Sequence, residues 1–448
     1  MNESNQLKPV LKFKEALSIN LIDMVGIGPF ITIPFVIGAL NGTQSIFAWI
    51  LGCFLSFMDA SVWAELGAKW PAAGGSYVFL KSLYGKQKWG RFFSFLYIWQ
   101  TSIQAPLVIA SGAIGFAQYS CYLFEFDPLQ QKIVAGALVV LVTFLLYRNM
   151  VTIGKMALFF GFIVIGTIVG LLLSGLYAYN PSLTIFPSAA SLDFSLAFFV
   201  ALGMASTKTI YSYLGYYNVC HLGSEIENPQ RNIPRSMFLS IGIISVLYIG
   251  LNTAILAVIP WQTAKDSPFI VSLFVEQIYG PIPAKIATAL VLVIALSSLF
   301  AVMLGYSRVP YAAAKEGNFF QVFAKVHPQK NIPHISLLIL GALAFVFSLL
   351  FKMKEIITAI VVMRILVQFI AQSIGLIRFK IVFSDQQFPF KMWLYPLPPI
   401  LAILVWLFVF LSVDLAYIIG ALVIIVLGSL VFLFQAKKQH KWPFFIAT

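Results

Sequence analysis

Charge is what this chain is short of. Only 10% of its 448 residues are Asp, Glu, Lys or Arg, where a soluble domain carries about a quarter. That scarcity excludes an ordinary water-soluble globule. Acidic residues are the rarest, 16 against 29 Lys and Arg, and there are only four His and three Cys. Cys53, Cys121 and Cys220 lie far apart, with neither metal-ligand spacing nor a disulfide framework. Also missing are H-E-x-x-H, G-x-S-x-G and Gly-rich phosphate loops, which argues against a membrane-embedded enzyme and against ATP-driven pumping. No Ser- or Gly-rich linker divides the chain, no long polar tail suggests a signalling receptor, and no filter motif suggests a channel. The polar start "MNESNQLKPVLKFKEALS" reads as a mature N-terminus rather than a cleavable leader.

What is present is apolar sequence. Hydrophobic residues make up 60% of the chain and the mean hydropathy is +0.91. Twelve runs are long enough to cross a bilayer: 16–39, 44–67, 91–120, 131–147, 154–178, 194–222, 236–259, 283–308, 333–351, 355–377, 393–413 and 415–435. With this threading, 22 Lys and Arg fall on the side of the N-terminus and 5 on the other; Lys208 and Arg364 lie within spans. The positive-inside rule then puts both termini in the cytoplasm of a cell-membrane protein. The basic excess is therefore topological and does not indicate nucleic-acid binding. The chain reads as an all-α polytopic membrane protein, one transport domain over 1–448.

Two spans contain residues that should not be there. The first reads "MVGIGPFITIP" at its centre, with Gly26, Gly28 and Pro29 together. Glycine is a poor helix former and proline lacks a donor and clashes with the preceding turn. Freed backbone groups in lipid cost several kcal/mol each unless something satisfies them. The sixth span has a matching interruption at "TIYSYLGYYN", around Gly215. A repeat distance of five spans reverses topology, so 16–178 and 194–380 read as an inverted repeat. It is preceded by a cytoplasmic segment, 1–15, and followed by two extra helices over 392–436 and a cytoplasmic tail, 437–448. Facing breaks at the midplane offer N–H groups to a carboxylate and carbonyls to an ammonium, the two ends of an amino acid. The plainer reading of such glycines is close helix packing or a kink.

Four stretches resemble the amino acid–polyamine–organocation superfamily of secondary transporters: "VGIGPF" (Val25–Phe30), "WAELGAKWPAAGGSYVFLKSLYG" (Trp63–Gly85), "YSYLGYYNVCHLGSEIENPQRNIPRS" (Tyr211–Ser236) and "YSRVPYAAAKEGNFFQVFAKVHPQKNIPH" (Tyr306–His334). The resemblance implies a leucine-transporter-type five-plus-five inverted repeat with spans one and six unwound. It implies uptake or exchange of amino acids, or else of polyamines and other organic amines. It further implies that Gly26, Ile27 and Gly28 offer amides to the substrate carboxylate. The carbonyls around Ser212, Tyr213, Leu214 and Gly215 would receive the ammonium, with Tyr211 as an aromatic lid. Two departures stand out in the first motif: Ile27 replaces a small hydroxyl residue and Pro29 removes an amide donor. The place where some proton-coupled members carry a lysine falls near Val164, with no basic residue.

Charged residues inside spans are costly and usually face a cavity or a partner. Asp23, one turn before the first break, is read either as a coupling or gating carboxylate or as the partner of a loop lysine. Asp59 is the deeper acid of span two, and Glu65, near its exit, reads as a structural ion pair. Lys208, about a turn before the second break, either lines an outer vestibule, occupies a sodium position or snorkels to the interface. Arg364 invites the same question and has Asp23 and Asp59 as conceivable partners. Gln104 and Ser298 are candidate pocket residues among interhelical hydrogen-bonding groups. His221 and Glu225 have i, i+4 spacing but no third ligand, so no metal is expected. No cofactor is expected beyond a coupling ion, H+ or Na+. The expected partners are a small amino acid and the bilayer, and oligomeric state is not readable.

Overall fold

In a computed structural model, residues 7–187, 194–351 and 353–444 are described. Lys352, counted above on the far side, and both chain ends, 1–6 and 445–448, lie outside them. The molecule is all-α, and no strand occurs among the described residues beyond two isolated bridges. Among the described residues twelve helical segments follow the order of the twelve apolar runs, and eight helices, or nine with the bent first pair, are long and apolar enough to cross a membrane. The first is broken into Phe13–Met24 and Gly28–Ala39, bent by 45°. Then come Ser45–Lys69, Trp89–Ser120, Pro128–Leu146 and Met150–Tyr177. The sixth is broken into Leu196–Tyr213 and Asn218–His221. Pro229–Leu256, Pro281–Tyr306, His334–Leu350, Met353–Val382, Leu397–Leu411 and Leu415–Lys438 complete the set. They are called spans 1 to 12 below.

The breaks form where the sequence cannot hold a helix. Residues 25–27 leave the helical path before Pro29 takes an early position in the second half, where its missing N–H costs nothing. Gly215 sits at φ +125°, a conformation other residues rarely adopt, and a side chain there would meet the Met24 nitrogen at 2.8 Å. A third irregularity was not anticipated: span 10 widens into a π-helix over Ile365–Ile370, directly after Arg364.

Loops carry helices that the hydropathy pattern did not reveal. Ser76–Tyr84, Ile270–Tyr279 and Arg308–Lys315 are short helices between spans. Packing between spans follows a simple rule. Span 2 packs on span 7, span 3 on span 8 and span 4 on span 9, while the two broken spans pack on each other. The N-terminal segment closes one face: Val10 and Leu11 amides donate to the Glu225 carbonyl at 2.9 Å, and the Glu227 amide donates to the Leu11 carbonyl at 2.8 Å.

Candidate functional site between the broken helices

The two breaks are bound to each other by side chains that satisfy part of the freed backbone. Asn20 donates through Nδ2 to the Tyr216 carbonyl at 2.7 Å and accepts from the Val219 amide at 3.2 Å. Tyr248 of span 7 donates to the Met24 carbonyl at 2.6 Å and lies 3.3 Å from that of Ser212. Asn218 donates to the Ala301 carbonyl of span 8 at 2.8 Å. These contacts hold the irregular backbone in place without lipid exposure.

Other backbone groups stay open. The amides of Gly26, Ile27 and Gly28 donate to no protein acceptor among the described residues, and the carbonyls of Tyr211, Tyr213 and Leu214 accept from no described donor. Residues of both sets, Tyr213 excepted, line a cavity of about 60 Å³. Asp23, Gly26, Ile27, Gly28, Tyr211, Ser212, Leu214, Gly215, Ser298 and Arg364 all line it. Gly26 has no alternative: a Cβ there would sit 2.5 Å from Ser298 Oγ. Ser298 itself donates to the Asp23 carbonyl at 3.3 Å.

Four expected residues lie elsewhere. Tyr213 turns its ring away, against Trp49 and Tyr248. Gln104 is one layer back, its Nε2 3.5 Å from the hydroxyl of Tyr306, which does line the cavity. Asp59 is buried outside the cavity lining, accepting from Tyr216 at 2.5 Å and from Trp406 Nε1 at 3.3 Å. Lys208 lines a larger, separate cavity of about 730 Å³ on the face opposite the N-terminus and donates to Thr358 Oγ1 at 2.8 Å.

Arg364 is the cation of the central cavity. Its Nε donates to Gln368 Oε1 at 2.7 Å and its Nη2 to the Tyr217 hydroxyl, and the guanidinium lies over the rings of Tyr217 and Tyr306. Neither the Asp23 nor the Asp59 pairing with Arg364 forms: among the described residues the ion pairs are Lys81–Glu316, Arg308–Glu225 and Lys380–Glu65. The last, at 2.6 Å, is the structural pair expected of Glu65. The His221–Glu225 spacing serves other ends. Glu225 takes two hydrogen bonds from Arg308, at 2.8 and 2.9 Å, and His221 Nε2 lies 3.3 Å from the Tyr97 hydroxyl.

The two cavities are one helical turn apart on three spans. Ile27, Tyr211 and Ile360 line the inner one; Ile31, Lys208 and Ile357 line the outer. At the boundary the Tyr211 hydroxyl lies 2.9 Å from Ser111 Oγ. Sequence reasoning missed Ser111, Tyr217, Tyr248 and Tyr306. Only the tyrosine cluster at 211–217 and the Tyr306 that opens the fourth quoted stretch hinted at them.

An all-α bundle whose two interrupted helices enclose a small central cavity, with a wider vestibule one turn away, defines a membrane transporter. The chain belongs to the amino acid permease family, whose model matches residues 11–448, and it transports amino acids. It is similar to the serine/threonine exchanger SteT of Bacillus subtilis, 26% identical over 417 residues that cover 90% of each chain. An uncharacterized transporter of Mycobacterium tuberculosis is 29% identical over 343 residues, 75% of this chain and 73% of that one. Cationic amino acid transporter 4 of Mus musculus is 25% identical over 377 residues, 80% of this chain and 58% of the relative.

Proposed function

We propose that this permease moves small, uncharged amino acids across the cytoplasmic membrane by alternating access, with the central cavity as its substrate site. One observation carries the reading: Gly26, Ile27 and Gly28, whose amides are open among the described residues, line the same cavity as Tyr211 and Leu214, whose carbonyls are open. A helix N-terminus favours a carboxylate and open carbonyls favour an ammonium. Asp23 and Arg364 give the cavity one charge of each sign, which suits a zwitterion with a neutral side chain. A polyamine would need more carboxylates, and a cationic side chain would meet Arg364. The cavity, about 60 Å³, is small, which suits a small substrate better than a long polyamine. The exchange of serine and threonine in the printed name of one relative supports the same class.

In this reading Tyr211 and Ser111 form the gate towards the vestibule, and 16–178 and 194–380 are inverted repeats. The pairing of spans 2, 3 and 4 with spans 7, 8 and 9 supports the repeat. The 22-to-5 distribution of Lys and Arg supports cytoplasmic termini, which makes the vestibule external. Coupling is either exchange or symport with a proton carried on Asp23, the cavity's one carboxylate and one with no ion-pair partner among the described residues.

Counterflow in proteoliposomes tests this. Vesicles loaded with serine, threonine or alanine should accumulate labelled serine, and those loaded with arginine, glutamate or putrescine should not. Accumulation driven by putrescine or arginine would refute the substrate class. If a pH gradient drives uptake and Asp23→Asn abolishes that dependence on the gradient, proton symport replaces exchange.

A further inference from the structure

A third cavity, of about 390 Å³, opens on the N-terminal face, outside the transport path. It is lined by Lys81, Lys86, Lys88, Arg91, Glu316 and Lys441, drawn from the loop before span 3, its first turn, the loop after span 8 and the tail after span 12. Five cations thus meet one carboxylate, and that carboxylate is engaged by Lys81 at 2.6 Å. Lys86, Lys88 and Lys441 have no acidic partner among the described residues. Arg91 donates through Nη2 to Gln439 Oε1 at 2.8 Å and lies over the Phe432 ring, yet its Nη1 is buried with no acceptor. A buried guanidinium nitrogen without an acceptor is costly, so an anion brought there gains more than one at an exposed lysine.

The position selects the kind of anion. Trp89, 54% exposed, packs edge-on against Trp442 at 5.1 Å beside the cavity. Tryptophans sit where hydrocarbon gives way to headgroups. The last turns of span 12 leave Leu430 and Phe434 exposed for hydrocarbon contact. Basic pockets between spans at such an interface suit phospholipid headgroups. We infer that this cavity binds the phosphate headgroup of an anionic phospholipid, with its acyl chains along the foot of spans 3 and 12. The inference rests on the membrane reading of the chain and not on the identity of the substrate.

The test is lipid titration of the purified full chain in detergent, read by native mass spectrometry and thermal stability. Phosphatidylglycerol should bind at least about tenfold tighter than phosphatidylcholine. Lys86→Gln with Lys88→Gln, both at exposed positions, should remove most of that preference, and Arg91→Gln should remove it if the variant folds. The control pair Arg231→Gln with Arg235→Gln, also exposed and on the same face, should keep it within about twofold. Equal binding of the two lipids, or unchanged preference in the lysine variant, overturns the proposal. So does equal loss in the control, which would mean diffuse surface charge. Displacement of phosphatidylglycerol by millimolar inorganic phosphate would overturn the lipid assignment in favour of a free anion.

Discussion

At the scale of single residues, the site depends on small atoms in crowded places. Gly26 faces Ser298 Oγ with no room for a methyl group. Gly26→Ala should lower counterflow by at least about tenfold, equivalent to about 1.4 kcal/mol at the rate-limiting step. Because the closest clash is with the Ser298 hydroxyl, adding Ser298→Ala should recover part of the activity, and adding Ser298→Gly, which also removes the Cβ at 3.0 Å, should recover more; no recovery in either would show that Gly26 is needed for backbone conformation instead. Tyr211→Phe removes the hydroxyl that meets Ser111. The loss of about 1 kcal/mol should speed substrate release about fivefold, measured as dissociation of bound label. Asp23 and Arg364 have a different kind of dependence. Neutralising either one leaves a lone charge in a small cavity, so Asp23→Asn and Arg364→Gln should each impair counterflow. The double variant should exceed the better single one, the non-additivity expected of coupled groups. These residues differ in how visible they were. Gly26, Gly28 and Gly215 announce themselves because two glycines beside Pro29 interrupt one span and a matching interruption recurs five spans on. Ser111 and Tyr248 look like ordinary residues of ordinary spans, and only their neighbours give them roles.

At the scale of elements, the broken spans are held by partners distant in sequence. The linker after span 6 is tied to the loop helix that follows span 8, Arg308–Lys315, by the Arg308–Glu225 pair, both members almost fully buried. Breaking a buried pair costs about 3–5 kcal/mol because the remaining charge is stranded. Glu225→Gln should therefore lower the midpoint of thermal unfolding sharply, read by size-exclusion of the heated protein, while Lys81→Gln, whose Glu316 partner is exposed, should shift it little. Span 7 starts at Pro229 rather than at 236, but most span ends followed from hydropathy to within a few residues, since a bilayer sets the length of every crossing. The loop helices Ser76–Tyr84 and Arg308–Lys315 did not: they pack on the protein itself, and their short mixed sequences carry no lipid signal.

At the scale of the whole molecule, the conformation is asymmetric. The vestibule opens on one face and reaches to one turn from the central cavity, while the face bearing the N-terminus is sealed by Leu11, Glu225 and Arg308. Cys121 lines that vestibule and Cys220 is buried. In a variant with Cys53→Ser and Cys220→Ser, a membrane-impermeant maleimide added to intact cells should label Cys121. Labelling only after permeabilisation would invert the proposed orientation. Added substrate should slow the labelling if it shifts the population towards the inward-facing state.

The sequence by itself determined the class of the molecule. Sparse charge, twelve apolar runs, lopsided lysines and two matched helix breaks are written locally, because lipid penalises each polar atom where it stands. The motif resemblance then specified amino acid transport. What the tertiary structure decided is which of the polar residues meet. It brought Asp23 and Arg364, 341 positions apart, into one cavity and left Lys208 in the vestibule, Asp59 against Trp406 and Tyr213 against Trp49. Side-chain direction in a bundle depends on how neighbouring helices rotate and pack, and no single span carries that information.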